Sequence, residues 1–198
     1  MKEKTFCAVD TETTNINCAI ADAVEVTFLP LTTSFDIDTT KKHFTTLINP
    51  GIKSLEAGVE SLAFNKIPID EIYEKGVPKK KYPKLLQEWM KENSIIQIEP
   101  VAQNWGFDRV VLCNLLGFDL CEELIYHRGH DSLSLAIVVR DLYRLNGLKD
   151  PFRSTRLVDL AREFGMSNSG AHRTLKDCQM CAYVYKELLK MLEIAHRG

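Results

Sequence analysis

Two acids close the first apolar segment of the chain. Phe6-Cys7-Ala8-Val9 reads as a strand, and Asp10 and Glu12 follow it one residue apart. Side chains two apart on an extended strand share a face, so both carboxylates occupy one small volume. Like charges that close raise each other's pKa and oppose folding unless a cation lies between them. Alone, such a pair reads as a solvated strand end running into the turn at Thr13 and Thr14.

Three further positions change that reading. Asp108 lies in QNWGFDRVV, where an apolar strand gives way to a helix. The segment GAHRTLKDC supplies His172, after the Gly/Ser-rich loop Ser167-Asn168-Ser169-Gly170, and Asp177, one turn inside the last helix. Each has a structural reading of its own: Asp108 as an acid favoured by a helix dipole, His172 as a surface imidazole, Asp177 as an exposed helical residue. Together they fit one chemistry. Four converging carboxylates repel one another without a metal, and hard cations such as Mg²⁺ or Mn²⁺ prefer carboxylate and water oxygens over thiols, which this set lacks. Two such ions about 3.5–4 Å apart can clamp the attacking and leaving oxygens of a phosphodiester displacement. The attacking water must also lose a proton, and histidine, with an ordinary pKa of about 6.5, is suited to take it near neutrality. His172 stands on a loop beside Asp177 and can approach that water without being fixed as a ligand. His43, His127, His130 and His196 have no such companion and read as structural or surface residues.

The elements that must position these residues follow from the residue pattern. TFCAV (5–9), AVEVTFLP (23–30) and HFTTLINP (43–50) are β-branched or aromatic runs bounded by turn formers, and their short connections predict an antiparallel meander. Helical patterns follow at 54–64, 69–75 and 82–93. IIQIEPVAQN (95–104) predicts a buried strand interrupted or bent at Pro100. A helix over 107–117 ends at Gly117, a short strand is predicted at 123–127, and Asp131 is placed to cap a helix over 131–147. Helices over 156–165 and 173–195 complete the chain. Antiparallel strands followed by alternating helices and strands predict a mixed α/β sheet covered by helices.

Composition sets the outer limits. At 198 residues, 45% hydrophobic and 26% charged, the sequence suits one soluble globular domain over 1–198. No apolar run reaches membrane-spanning length and MKEKTFCAVD lacks a secretory signal, so the expected location is the cytoplasm, without membrane contact. The six cysteines sit mostly among apolar residues, as reduced core thiols do, and Cys178 and Cys181 fall at helix spacing on one face. A formal charge of −2 argues against a duplex-wrapping protein. Lys79-Lys80-Lys81, bracketed by Pro78 and Pro83, reads as a solvated loop. Any nucleic-acid contact should then be short, with metal ions supplying much of the positive charge.

The ordered set D-T-E-T (Asp10, Glu12), N-x-x-F-D (Asn104 to Asp108) and H-x-x-x-x-D (His172 to Asp177) resembles the DEDDh 3′→5′ exonucleases. That is the family of the epsilon proofreading subunit of bacterial DNA polymerase III, ribonuclease T and oligoribonuclease. The resemblance runs from residue 5 to about 190 and takes in VEVTFLP and INPG, similar to the family's second and third strands, and HDSLSLA, similar to its aspartate-initiated helix. A sister branch carries tyrosine four residues before the last acid; Arg173 stands there in this chain, which favours the histidine branch. Two places depart from the family: Gln103 precedes Asn104 where many members have histidine, and Leu62–Ile67 replaces a segment that in many members lines the nucleotide pocket.

The resemblance implies an RNase H-like fold, a five-stranded mixed β-sheet flanked by α-helices. It implies two Mg²⁺ (or Mn²⁺) ions, with Asp10 bridging both, Glu12 and Asp177 on the nucleophile-side ion, Asp108 at the leaving-side ion, and His172 as general base. It places Thr13 and Thr14, together with Asn104, at the 3′-terminal nucleotide, and Phe107 or Trp105 either beside a base or in the core. The implied activity is 3′→5′ hydrolysis of single-stranded or frayed DNA ends, releasing nucleoside 5′-monophosphates, with a possible replication or repair partner. The same chemistry on RNA, or a catalytically inactive nucleic-acid-binding module, remains as an alternative.

Overall fold

Strand β1 (Lys4–Thr13) is the centre of a six-stranded mixed sheet ordered β4-β3-β2-β1-β5-β6 in the computed structural model, which describes residues 3–197 apart from 168 and 170. Asn168 and Gly170 of the loop before His172 therefore lie outside the described residues, as does the side chain of His196. β1 pairs antiparallel with β2 (Ala23–Pro30), which pairs antiparallel with β3 (Phe44–Asn49), giving the predicted meander. On its other side β1 runs parallel to β5 (Gln97–Ala102). Two short parallel strands, β4 (Val77–Pro78) and β6 (His130–Asp131), form the edges.

The helices are α1 (Ile52–Ala57), α2 (Val59–Asn65), α3 (Ile69–Lys75), α4 (Tyr82–Glu92), α5 (Trp105–Leu116), α6 (Phe118–Leu124), α7 (Ser132–Leu145), α8 (Leu157–Glu163) and α9 (Thr174–Arg197). Strand alternation explains how they are shared between the two faces. Cys7 and Val9 pack into a core with Tyr82, Leu86 and Trp89 of α4 and Val111, Leu112 and Leu115 of α5. Ala8 points the other way, into a core with Cys178, Cys181, Ala182 and Tyr185 of α9. The two cysteines of the C-x-x-C thus lie on one buried face of a helix, and all six cysteines are free thiols. By the same alternation Asp10 and Glu12 emerge on the α9 face, and Thr11 on the face of α5.

Three expectations are corrected. The helix predicted over 54–64 is two helices, broken at Gly58, where the chain lies against β1's end: a Cβ there would come within 2.6 Å of Thr14 Cβ. The strand predicted at 123–127 is mostly the end of α6, with Ile125 making only a bridge to Ile98; the outer strand is His130–Asp131, so the sheet has six strands in place of five. Pro100 does not interrupt β5. Ile98 accepts from the Tyr126 N–H at 2.8 Å on the outer side, and Pro100, two residues on, faces that same side before β6 begins to pair at Val101. No ladder donor is lost there. Among the described residues no helix is long and apolar enough to cross a membrane.

Candidate active site

Helices from both faces of the sheet meet at the end of β1. Asp108, in the first turn of α5, is buried and accepts a hydrogen bond from Thr11 Oγ1 at 2.7 Å. Asp177, in the first turn of α9, comes from the opposite face, where Asp10 and Glu12 project. Just before α9, His172 turns the chain with a left-handed φ of 70°, and its backbone N–H donates to Asp177 Oδ2 at 3.1 Å. Metal-ligating atoms of Glu12, His172 and Asp177 all lie within 4.8 Å of one another.

The electrostatics are those of a crowded, partly desolvated set of acids. Burial, then Asp108 and Asp177, raises the Asp10 carboxyl well above the usual carboxylate range. Glu12 is pushed up to about 8 by burial and then by Asp177, Glu25 and Asp108, with Arg173 opposing. Burial lifts Asp108 to about 7 against the hydrogen bond from Thr11, and lifts Asp177 to about 6 against the His172 N–H. His172 is shifted the other way, downward, by burial and by the cations Lys66 and Arg156. Asp177 Oδ1 is buried and has no hydrogen-bond partner among the described residues. Clustered carboxylate oxygens, one of them orphaned, beside an imidazole and without a thiolate, fit a hard divalent cation.

A cleft of about 490 Å³ opens beside Glu12. Thr11, Thr13, Thr14, Phe64, Asn65 and Phe107 are among its lining residues. Phe64 also meets the His172 ring edge-on, at 4.7 Å between centroids. Of the expected substrate contacts, Thr13, Thr14 and Phe107 line the cleft. Asn104 does not; it starts α5 in a left-handed turn, its N–H held by Asp131 at 2.8 Å, while Asp131 also caps α7 through the Leu133 N–H. Trp105 is buried, its indole N–H donating to the His127 carbonyl, so it belongs to the core. His130 is occupied by Tyr185 and Glu99.

Two residues at the site carry no role in the sequence reading. Phe64 lies in the Leu62–Ile67 segment, and its sign in the sequence was the position of that segment, which stands where many members of the resembled family line the nucleotide pocket. Glu25 stands directly across the ladder from Glu12, buried and bound to Arg173. Its signal was a single acid inside the apolar run AVEVTFLP, every residue of which is buried.

No known family's sequence pattern matches the chain, and no curated protein matches it in sequence. Solved structures match its fold. E. coli exonuclease I in complex with a dT13 oligonucleotide superposes with a TM-score of 0.72 at 17% identity, over 98% of this chain and 43% of that one. The zinc-bound E. coli exonuclease I–ssDNA complex gives 0.67 at 15%, over 98% and 41%. The moderately thermophilic exonuclease I from Methylocaldum szegediense gives 0.71 at 15%, over 95% and 40%. This chain spans about two fifths of the length of those proteins. At such identity the likeness is one of fold, the RNase H-like mixed sheet flanked by helices.

Proposed function

We propose that this chain is a divalent-metal-dependent 3′→5′ exonuclease that removes nucleoside 5′-monophosphates from single-stranded DNA ends. One observation carries the reading: ligand-type atoms of Glu12, His172 and Asp177 converge within 4.8 Å, Glu12 also lines the cleft, and one buried oxygen of Asp177 has no partner among the described residues. The exonuclease I structures that share the fold, two of them complexes with single-stranded DNA, support the choice of substrate.

The 3′-terminal nucleotide enters between Phe64 and Phe107, which offer aromatic surface to a base, while Thr13 and Thr14 stand at the cleft floor as polar contacts for sugar or phosphate. Glu12 and Asp177, together with Asp10 and Asp108, would hold two Mg²⁺ or Mn²⁺ ions. When bound, such ions offset the carboxylate repulsion and stabilise the negative charge that builds on the phosphoryl oxygens. His172 is neutral near pH 7, because burial and neighbouring cations lower its pKa, and it accepts the proton of the attacking water. The water oxygen bonds to phosphorus, the bond from phosphorus to the 3′-oxygen of the preceding nucleotide breaks, and that oxygen takes a proton from solvent.

The test uses purified protein with a 5′-labelled single-stranded 20-mer, as DNA and as matched RNA, with Mg²⁺, with Mn²⁺ and with chelator. The reading expects the DNA to shorten one nucleotide at a time, faster than the RNA, and only with metal. Intact DNA under both metals would overturn it, and faster trimming of RNA would reassign the substrate.

A further inference from the structure

We propose that Glu25 and Arg173 are positioning residues for this reaction, a latch that holds the turn from His172 to Asp177 against the sheet. The inference rests on the exonuclease reading for its catalytic consequence, and on the geometry alone for the latch.

The Glu25 side chain is only 2% exposed, and both of its oxygens are used. Oε1 accepts from Arg173 Nε at 3.0 Å and Nη2 at 2.7 Å. Oε2 accepts from the Thr174 backbone N–H at 2.9 Å and from Thr174 Oγ1 at 3.0 Å. The first helical N–H of α9, which has no partner inside the helix, is thus bound by a carboxylate, as a helix N-terminus favours. Thr174 Oγ1 lies 2.7 Å from Thr27 Oγ1, which lies 2.8 Å from Thr45 Oγ1, so the start of α9 is tied to both β2 and β3.

The two latched residues stand between the two functional ones. His172 precedes them in a left-handed conformation that a non-glycine residue holds only when its surroundings over-determine it. Asp177 follows one turn later and binds back to the His172 N–H. The His172 N–H is therefore held by Asp177, and the next two residues, Arg173 and Thr174, by Glu25. The ion pair also has an electrostatic part. Glu25 faces Glu12 directly across the β1–β2 ladder, where like charges destabilise a sheet, and the Arg173 guanidinium sets a cation against that extra acid.

A salt bridge with only a structural task would change stability and leave the chemical step alone. The latch predicts more. In the full chain, Arg173→Ala should lower kcat roughly 10–100-fold, the cost of slight misplacement of a reacting group, with KM within about twofold of the parent. Arg173→Lys, which keeps the charge without the two-pronged grip, should recover part of that loss. Hydrogen–deuterium exchange without substrate or metal should show the amides of residues 172–177 exchanging at least about tenfold faster in Arg173→Ala, since the opening that exposes them becomes easier. Glu25→Gln, which conserves volume and one acceptor, should show the same pattern more mildly and stands in if Arg173→Ala fails to fold. Unchanged kcat in an otherwise active enzyme, or unchanged exchange across 172–177, overturns the latch. The exchange arm reads the latch without any turnover, so an inactive parent enzyme strikes the exonuclease reading alone.

Discussion

Glu12 and Glu25 face each other across β1 and β2, yet the fold treats them in opposite ways. Glu25 is buried with every oxygen engaged by Arg173 and Thr174. Glu12 is desolvated and repelled by Asp177 and Asp108, its pKa pushed up to about 8 against the opposing charge of Arg173. One acid is satisfied and holds structure in place. The other belongs to a set left short of positive charge, the condition under which a fold binds cations. On the proposed reading, the contrast separates a residue that serves architecture from one that serves chemistry, although both are acids on neighbouring strands.

Removing charge on the two sides should therefore have opposite effects. Asp177→Asn keeps an acceptor for the His172 N–H but removes one of the crowded charges; turnover should vanish, while the melting temperature without metal should rise. Glu25→Ala should lower it, since it strips the partners from Arg173 and the first N–H of α9. Equal signs in the two melting curves would erase the distinction.

His172→Ala should slow hydrolysis roughly 10²–10⁴-fold with Mn²⁺ affinity, read by calorimetry, nearly unchanged. A comparable loss of affinity would make the imidazole a ligand. Next in size, Phe64→Ala should raise KM roughly tenfold with a smaller change in kcat, as loss of one stacking surface does.

The pH dependence sharpens the same comparison. The site carboxylates titrate above their ordinary range, so between about pH 4 and about pH 8 they bind more protons in the folded state than in the unfolded one, outnumbering His172, whose downward shift acts in the opposite sense. Stability present at the acid end is then lost as pH rises through that window. Without metal the melting temperature should fall from about pH 5 to about pH 8, and Mn²⁺ should flatten the fall by neutralising the cluster. A metal-free curve that rises over that range would contradict the assigned shifts.

Much of this was legible in the sequence because it depended on local periodicity. Strand alternation put Asp10 and Glu12 on one face, and helix starts placed Asp108 and Asp177 in first turns. What was not legible depended on partners far along the chain. Glu25 meets Arg173 across 148 positions, so its role needed the fold. The helical pattern breaks at Gly58, a position with no room for a Cβ beside Thr14, and periodicity within 54–64 does not reveal that neighbour. ELIYH is apolar enough for a strand, but α6 continues through Leu124 and leaves Ile125 alone to bridge β5. The aromatic pair was half readable: Trp105 and Phe107 share one pattern, and the fold buries the first in the core while the second packs against that core and also lines the cleft.

The central claim is that acids from three elements gather to hold divalent cations beside His172. Anomalous diffraction from crystals grown with Mn²⁺ and a nucleoside 5′-monophosphate tests it most directly. The account predicts manganese peaks bounded by Asp10, Glu12, Asp108 and Asp177, with the nucleotide in the cleft between Phe64 and Phe107. Manganese absent from that cluster, with the nucleotide bound elsewhere or not at all, would contradict it.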